Sequence, residues 1–222
     1  MTHHLRSAVV LGAGTMGAQI AAHLANAGIP SLLLDVTADA AAAGLARARA
    51  LKPDPFMVPE AAALIRTGSL DDLAPLAAAD WIIEAIVEDL AIKQALLARV
   101  DAVRAPDAVV SSNTSGIPLA AIAEGRSEGF RRHWIGTHFF NPPRYLRLVE
   151  LITTADTSPD VAARVQHWLD QLLGKVMSPG SQITSNSTRR CVSSAESSHV
   201  SLRQLTGFLT YELLARHIAG RT

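Results

Sequence analysis

The apolar run Ala8-Val9-Val10-Leu11 is followed at once by Gly12-Ala13-Gly14-Thr15-Met16-Gly17, and a helix-like pattern then continues toward Asn26. Few short strings restrict a fold as tightly. In a strand, turn and helix, Gly12 permits the tight turn, Gly14 lets the backbone approach a pyrophosphate, and Gly17 lets the helix pack on the strand. The helix N-terminus adds partial positive charge, so residues 12–17, Ala13, Thr15 and Met16 included, form a candidate phosphate-binding turn. Asp35 ends the next apolar run, 23 residues after Gly12. A carboxylate there accepts hydrogen bonds from both hydroxyls of an adenine ribose and repels a 2′-phosphate, which favours NAD over NADP. The competing reading is an ordinary glycine turn with a coincidental acid.

Apolar runs of strand length recur at 8–11, 31–34, 81–86, 108–110 and 134–135, with helical patterns between them. This alternation predicts βαβ units. The runs are continuously apolar, as expected when helices cover both faces of a sheet. The fold class is therefore α/β, a Rossmann-type doubly wound and mostly parallel sheet. Helices are expected over 38–50 after a cap at Thr37 and over 90–103 after Asp89; their alanine content needs no functional explanation.

The sheet domain is expected to occupy residues 1–177. Residues 178–199 hold eight serines, as many as the 177 residues before them, and read as a linker. Residues 200–222 return to a helix-like tail, with Leu202, Leu205, Phe208, Leu209, Leu213 and Leu214 spaced for one apolar stripe.

Composition removes several function classes. The 222 residues are 49% hydrophobic and 18% charged, well away from disordered chains. Twenty basic residues balance twenty acidic ones, so no general field draws the surface to nucleic acid or acidic lipid. One cysteine, Cys191, excludes an intrachain disulfide or a Cys-rich zinc site, no metal is expected, and cytoplasm is the default. Residues 7–34 carry no formal charge across 28 positions, but Gly12, Gly14, Gly17, Asn26, Gly28 and Pro30 interrupt them. A membrane span or signal peptide is not expected.

Three further clusters bear chemistry. The first is His138-Phe139-Phe140-Asn141-Pro142-Pro143, with Glu150 twelve residues beyond the histidine. If 134–139 and 147–152 pair as antiparallel strands about Arg144, residue 138 falls opposite residue 150. A histidine oriented by a carboxylate is a natural proton acceptor near neutral pH, although a histidine beside two phenylalanines is also a common core residue. The second is Ser111-Ser112-Asn113-Thr114-Ser115, at the strand edge where doubly wound sheets bind ligands. Its hydroxyls fix a substrate oxygen or cap the segment after Gly116. The third is Glu84, Glu88 and Lys93, where the pattern alone predicts a solvated loop with a surface lysine.

Taken together, these strings resemble the NAD-binding domain of the 3-hydroxyacyl-CoA dehydrogenase family over about residues 6–176. The matching motifs are Val9-Val10-Leu11-Gly12-Ala13-Gly14-Thr15-Met16-Gly17, Ile83-Glu84-Ala85-Ile86-Val87-Glu88, Ser112-Asn113-Thr114-Ser115 and His138-Phe139-Phe140-Asn141-Pro142. The resemblance is nearest to the N-terminal part of bifunctional proteins that join this dehydrogenase to an enoyl-CoA hydratase. It implies that His138 is the general base or acid, Glu150 its partner, and Ser115 a contact to substrate and nicotinamide. It further implies that Glu88, Lys93 and Asn141 line the NAD site.

The implied activity is NAD-dependent oxidation of a 3-hydroxyacyl-CoA to a 3-oxoacyl-CoA, in fatty acid beta-oxidation. Acyl-CoA is the implied substrate, and a homodimer or a hydratase the implied partner. Lys52 and Lys93 are the lysines considered for a CoA phosphate. The family's helical substrate domain is not recognisable after residue 177, where Asn186 is the only nearby candidate for its substrate-contacting asparagine, so a truncated chain with impaired activity is expected. The alternatives are a non-catalytic NAD-binding fragment and a dehydrogenase of small hydroxy or sugar acids.

Overall fold

The structure is a computed structural model that describes residues 4–180. The serine-rich segment beyond 180, the helix-like tail at 200–222, Asn186 and Cys191 lie outside the described residues. Eight strands form one sheet: β1 (Ala8–Leu11), β2 (Ser31–Asp35), β3 (Ile65–Ser69), β4 (Trp81–Glu84), β5 (Val109–Ser112), β6 (Trp134–Phe139), β7 (Leu148–Thr153) and β8 (Val176–Gly180). Their order is β3-β2-β1-β4-β5-β6-β7-β8. The first six are parallel, β7 runs antiparallel to β6, and β8 parallel to β7. The direction of winding reverses between β1 and β4, which opens a crevice at their carboxyl ends.

Helix α1 (Thr15–Asn26) links β1 to β2, α2 (Ala38–Arg49) follows β2, and α3 (Leu90–Val103) follows β4. Short helices α4 (Leu119–Ile122) and α5 (Glu128–Arg132) lead into β6, and α6 (Pro159–His167) continues as a π-helical turn before β8. The helix ends follow local chemistry. The Thr37 hydroxyl oxygen accepts from the Ala40 N–H at 3.1 Å, and the Asp89 carboxylate accepts from the Ile92 N–H at 2.9 Å. Each satisfies a donor that the first turn leaves without an intrahelical partner. Helix α1 has Gly14 at this position and no side-chain cap.

Two apolar layers cover the sheet. One packs Ile20, Leu24, Phe56, Trp81, Trp168 and Leu169 on one face; the other packs Leu76, Leu97, Ile122, Phe130 and Trp134 on the opposite face. Burial on both faces explains why β1, β4 and the start of β5 read as unbroken apolar runs.

The strand limits correct the sequence reading in two places. Strand β4 stops at Glu84 rather than 86, because Glu84 Oε1 takes the Ile86 N–H at 2.8 Å. Strand β5 runs on into Ser111 and Ser112, both buried. Strand β8 closes the described part of the sheet at Gly180. Strand β3, an edge strand with the polar sequence Ile65-Arg66-Thr67-Gly68-Ser69, was not foreseen.

His23 on α1 is a buried polar residue in this frame, with Nε2 3.1 Å from the Leu173 carbonyl. A carbonyl only accepts, so Nε2 carries the hydrogen. Burial, reinforced by Lys175, pushes its pKa from 6.5 down to about 4. The sign follows directly. Above the unfolded value both states are neutral; between 6.5 and 4 only the unfolded chain takes the proton, so stability falls as pH falls through that window. Urea unfolding is expected to lose roughly 2 kcal/mol between pH 7 and pH 5 from this group, a loss that the His23→Gln variant lacks.

Candidate active site

The crevice at the switch point measures about 940 Å³ and is lined by Gly12, Gly14, Thr15, Asp35, Ile86, Glu88 and Ser115, among others. Gly12 sits at φ +101°, and a Cβ there would lie 2.6 Å from the Ala85 carbonyl oxygen. A Cβ on Gly17 would lie 1.8 Å from the Gly12 carbonyl oxygen. Both positions therefore demand glycine, one for backbone conformation and contact, the other for contact alone. Gly14 is exposed with open space where a Cβ would stand, so a ligand can approach its backbone. The sequence reading missed Gly44 on α2, whose Cβ would lie 2.2 Å from the Ala13 carbonyl oxygen, so the second helix rests on the glycine turn. A lone glycine within the alanine-rich run 40–48 was the available signal.

The residues present fit a dinucleotide. The first turn of α1 contains no acidic side chain and no side-chain cap, which leaves its N–H groups for an anion. Beside that turn, Asp35 Oδ2 accepts from the Ala13 N–H and Oδ1 from the Val36 N–H, both at 2.7 Å. These bonds fix the carboxylate while each oxygen retains a free lone pair for a ribose hydroxyl.

The charged cluster at the end of β4 differs from the solvated loop that its pattern predicted. Glu84 and Lys93 are 0% and 1% exposed and form an ion pair at 2.6 Å. Lys93 thus cannot reach a CoA phosphate. The Ser112 hydroxyl donates to Glu84 Oε2, and the Thr114 N–H donates to Ser112 Oγ at 3.1 Å. Lys93 also reaches Glu88 Oε2 at 3.3 Å. Glu88 Oε1 gathers the Thr114 hydroxyl and the N–H groups of Ser115 and Gly116, the last two at 3.1 and 2.9 Å. Burial alone would push the Glu88 carboxyl up; these donors and Lys93 outweigh it and hold it below the usual carboxylate range. Lys52 is exposed.

The same cluster divides the serines. Ser111 accepts from Trp81 Nε1 and from the Thr137 hydroxyl inside the sheet, so it is structural. Ser115 is exposed, with Oγ 3.0 Å from His138 Nε2.

His138 and Glu150 are direct antiparallel partners across β6 and β7. Nδ1 of His138 lies 2.9 Å from Glu150 Oε2, and the two side chains are 17% and 25% exposed. The histidine is therefore not a core residue. The tautomer follows from valence. The carboxylate only accepts, so Nδ1 holds the hydrogen and Nε2 offers its lone pair toward Ser115. Phe140 packs against the imidazole at 4.7 Å between ring centroids.

The turn beyond β6 is held from behind. Buried Lys175 donates to the Pro143 and Leu146 carbonyls, and burial together with Arg147 lowers its pKa to about 8. Arg144 donates to the carbonyls of Asp54 and Phe56. Asn141 is exposed, with Oδ1 3.0 Å from Gln19 Nε2. Among the described residues no group of three or more His, Cys, Asp and Glu side chains is placed to hold a metal ion, and no helix is long and apolar enough to cross a membrane.

The parallel 3-2-1-4-5-6 strand order, the glycine turn on α1 and the acid closing β2 define a doubly wound dinucleotide-binding domain. Residues 7–178 match the family described as 3-hydroxyacyl-CoA dehydrogenase, NAD binding domain, and the chain belongs to that family. Its cofactor is NAD. The chain is 48% identical over 179 residues to a probable 3-hydroxyacyl-CoA dehydrogenase of Deinococcus radiodurans, covering 77% of this chain and 52% of that protein. It is 43% identical over 197 residues to one of Bacillus subtilis, covering 79% of this chain and 25% of that protein. The solved 3-hydroxybutyryl-CoA dehydrogenase of Escherichia coli superposes with a TM-score of 0.71 at 29% identity, over 80% of this chain and 38% of that one. The chain thus spans about half the length of the first of these relatives and a quarter of the second.

Proposed function

We propose that the chain carries the NAD-dependent oxidation of a 3-hydroxyacyl-CoA to a 3-oxoacyl-CoA, the reaction of fatty acid beta-oxidation. The observation that carries this reading is the line Ser115–His138–Glu150, which starts from Ser115 in the crevice lining, with contacts of 3.0 and 2.9 Å. In the proposed mechanism the Ser115 hydroxyl holds the reacting oxygen. His138 Nε2 takes the hydroxyl proton, and Glu150 stabilises the imidazolium that results. Bound NAD supplies the hydride acceptor.

Residues 12–17 and Asp35 would hold the phosphates and adenine ribose, and Asn141 and Glu88 would face the nicotinamide half. Lys93 would act through Glu88 rather than on the ligand. Names among the relatives support this substrate class, as does a 37% identical fatty acid oxidation complex subunit alpha of Pseudomonas putida. The last name also supports a partner within a multi-enzyme complex, and a hydratase as that partner, a homodimer and a cytoplasmic setting belong to the same proposal. The residues 1–177, 178–199 and 200–222 are proposed as nucleotide domain, linker and tail.

The test is NADH fluorescence of the purified chain with acetoacetyl-CoA added. Binding followed by loss of the NADH signal with acetoacetyl-CoA, and not with acetoacetate, is the expected result. Turnover of acetoacetate at an equal rate would point to small hydroxy acids instead. Binding without any turnover would make the chain a cofactor-holding fragment.

A further inference from the structure

Gln19 is 3% exposed on α1, one helical turn beyond Thr15 in the glycine turn. Its Nε2 lies 2.9 Å from the Thr15 carbonyl and 3.0 Å from Asn141 Oδ1. These contacts fix two amide orientations in sequence. The Thr15 carbonyl only accepts, so the Gln19 group that faces it is the NH2. The second hydrogen of that NH2 then needs an acceptor, and Asn141 offers Oδ1. The Asn141 NH2 is left as the free end, in an exposed side chain beside Thr15 and three residues beyond His138.

We propose that Gln19 is a positioning residue: it locks the Asn141 amide so that its NH2, and not its carbonyl, meets an acceptor oxygen on the nicotinamide half of NAD. The proposal rests on the NAD-binding reading above. Through this bond the helix that receives the phosphates also sets the polarity of the loop beside the reacting end. A neutral isosteric flip of Asn141 would present an acceptor to an acceptor.

The experiment measures dissociation constants of the purified chain for NADH, by fluorescence, and for ADP-ribose, by calorimetry. ADP-ribose retains the adenine and both phosphates but lacks the nicotinamide. Gln19→Leu is expected to weaken NADH about fivefold, the effect of one neutral hydrogen bond, and to leave ADP-ribose within about twofold. In an Asn141→Ala background the same substitution is expected to cost nothing further, since Gln19 acts only through Asn141.

Gln19→Met keeps the length of the side chain without a charge and serves if the leucine variant does not fold. It offers no donor to Asn141 Oδ1, and it is expected to weaken NADH about as much while sparing ADP-ribose. Equal losses for NADH and ADP-ribose, or losses at Gln19 and Asn141 that multiply, would overturn the proposal. Unmodified chain that binds neither ligand would instead overturn the NAD reading beneath it.

Discussion

The His138→Gln variant is expected to reduce acetoacetyl-CoA with a kcat about 10³-fold below the unmodified chain, with its NADH dissociation constant within about twofold. The split follows from the geometry. His138 lies outside the glycine turn and Asp35, the elements proposed to hold the adenine half, so its loss leaves most of the binding energy in place. It removes the Nε2 lone pair 3.0 Å from Ser115. Glutamine keeps a polar group of similar reach without a basic nitrogen.

Glu150→Gln provides the companion measurement. A carboxamide offers both a donor and an acceptor to Nδ1, so the tautomer is no longer enforced and the imidazolium loses its counter-charge. A kcat loss of about 10²-fold, again with NADH binding retained, is expected. Stopped-flow single turnovers separate this chemical loss from slower product release. A His138→Gln variant within tenfold of the unmodified kcat would exclude the histidine as the proton acceptor.

Lys93→Met carries the second large effect, on stability. Lys93 is paired with Glu84 at 2.6 Å, and neither side chain has more than 1% exposure. Removing the lysine leaves a carboxylate buried without its partner, a loss of roughly 3–5 kcal/mol. For a sheet domain of this size, that corresponds to a fall in Tm of about 10 °C or more, read by calorimetry. Glu88 loses its cation as well, and with it part of the support for the Ser115 N–H. NADH binding is expected to weaken together with Tm.

The double variant Glu84→Gln with Lys93→Met removes both charges and is expected to recover more than half of the lost Tm. The remaining neutral amide still accepts from Ser112 or Ile86 but not from both as the carboxylate does. An unchanged Tm in Lys93→Met would mean that the pair carries no net stabilising interaction.

Much of this molecule was legible before any coordinates. Periodicity gave β1, β2, α2 and α3 nearly to the residue, because runs buried on both faces and capped alanine-rich helices are local patterns. The Thr37 and Asp89 caps fell where they were expected for the same reason. The pairing of residue 138 with residue 150 followed from the midpoint of a hairpin, since the register of an antiparallel pair is set by its turn. Strand β3 escaped because an edge strand buried on one side needs no apolar run, and Arg66, Thr67, Gly68 and Ser69 supply none.

What the sequence alone determined is the doubly wound frame, the dinucleotide turn with its acid, and the facing of His138 and Glu150. Each depends on spacing along a single strand, helix or hairpin. What only the tertiary structure decided is where polar groups find partners. Glu84 and Lys93 read as a solvated loop, and Ser111 and Ser112 as a polar cluster, because a string of residues does not show which other strand will enclose it. Gln19 and His23 lay unremarked in α1 until Asn141 and Leu173, more than 100 residues away, closed on them. The cost of burying a charge or an amide is set by its neighbours in space, and those neighbours exist only once the sheet has folded.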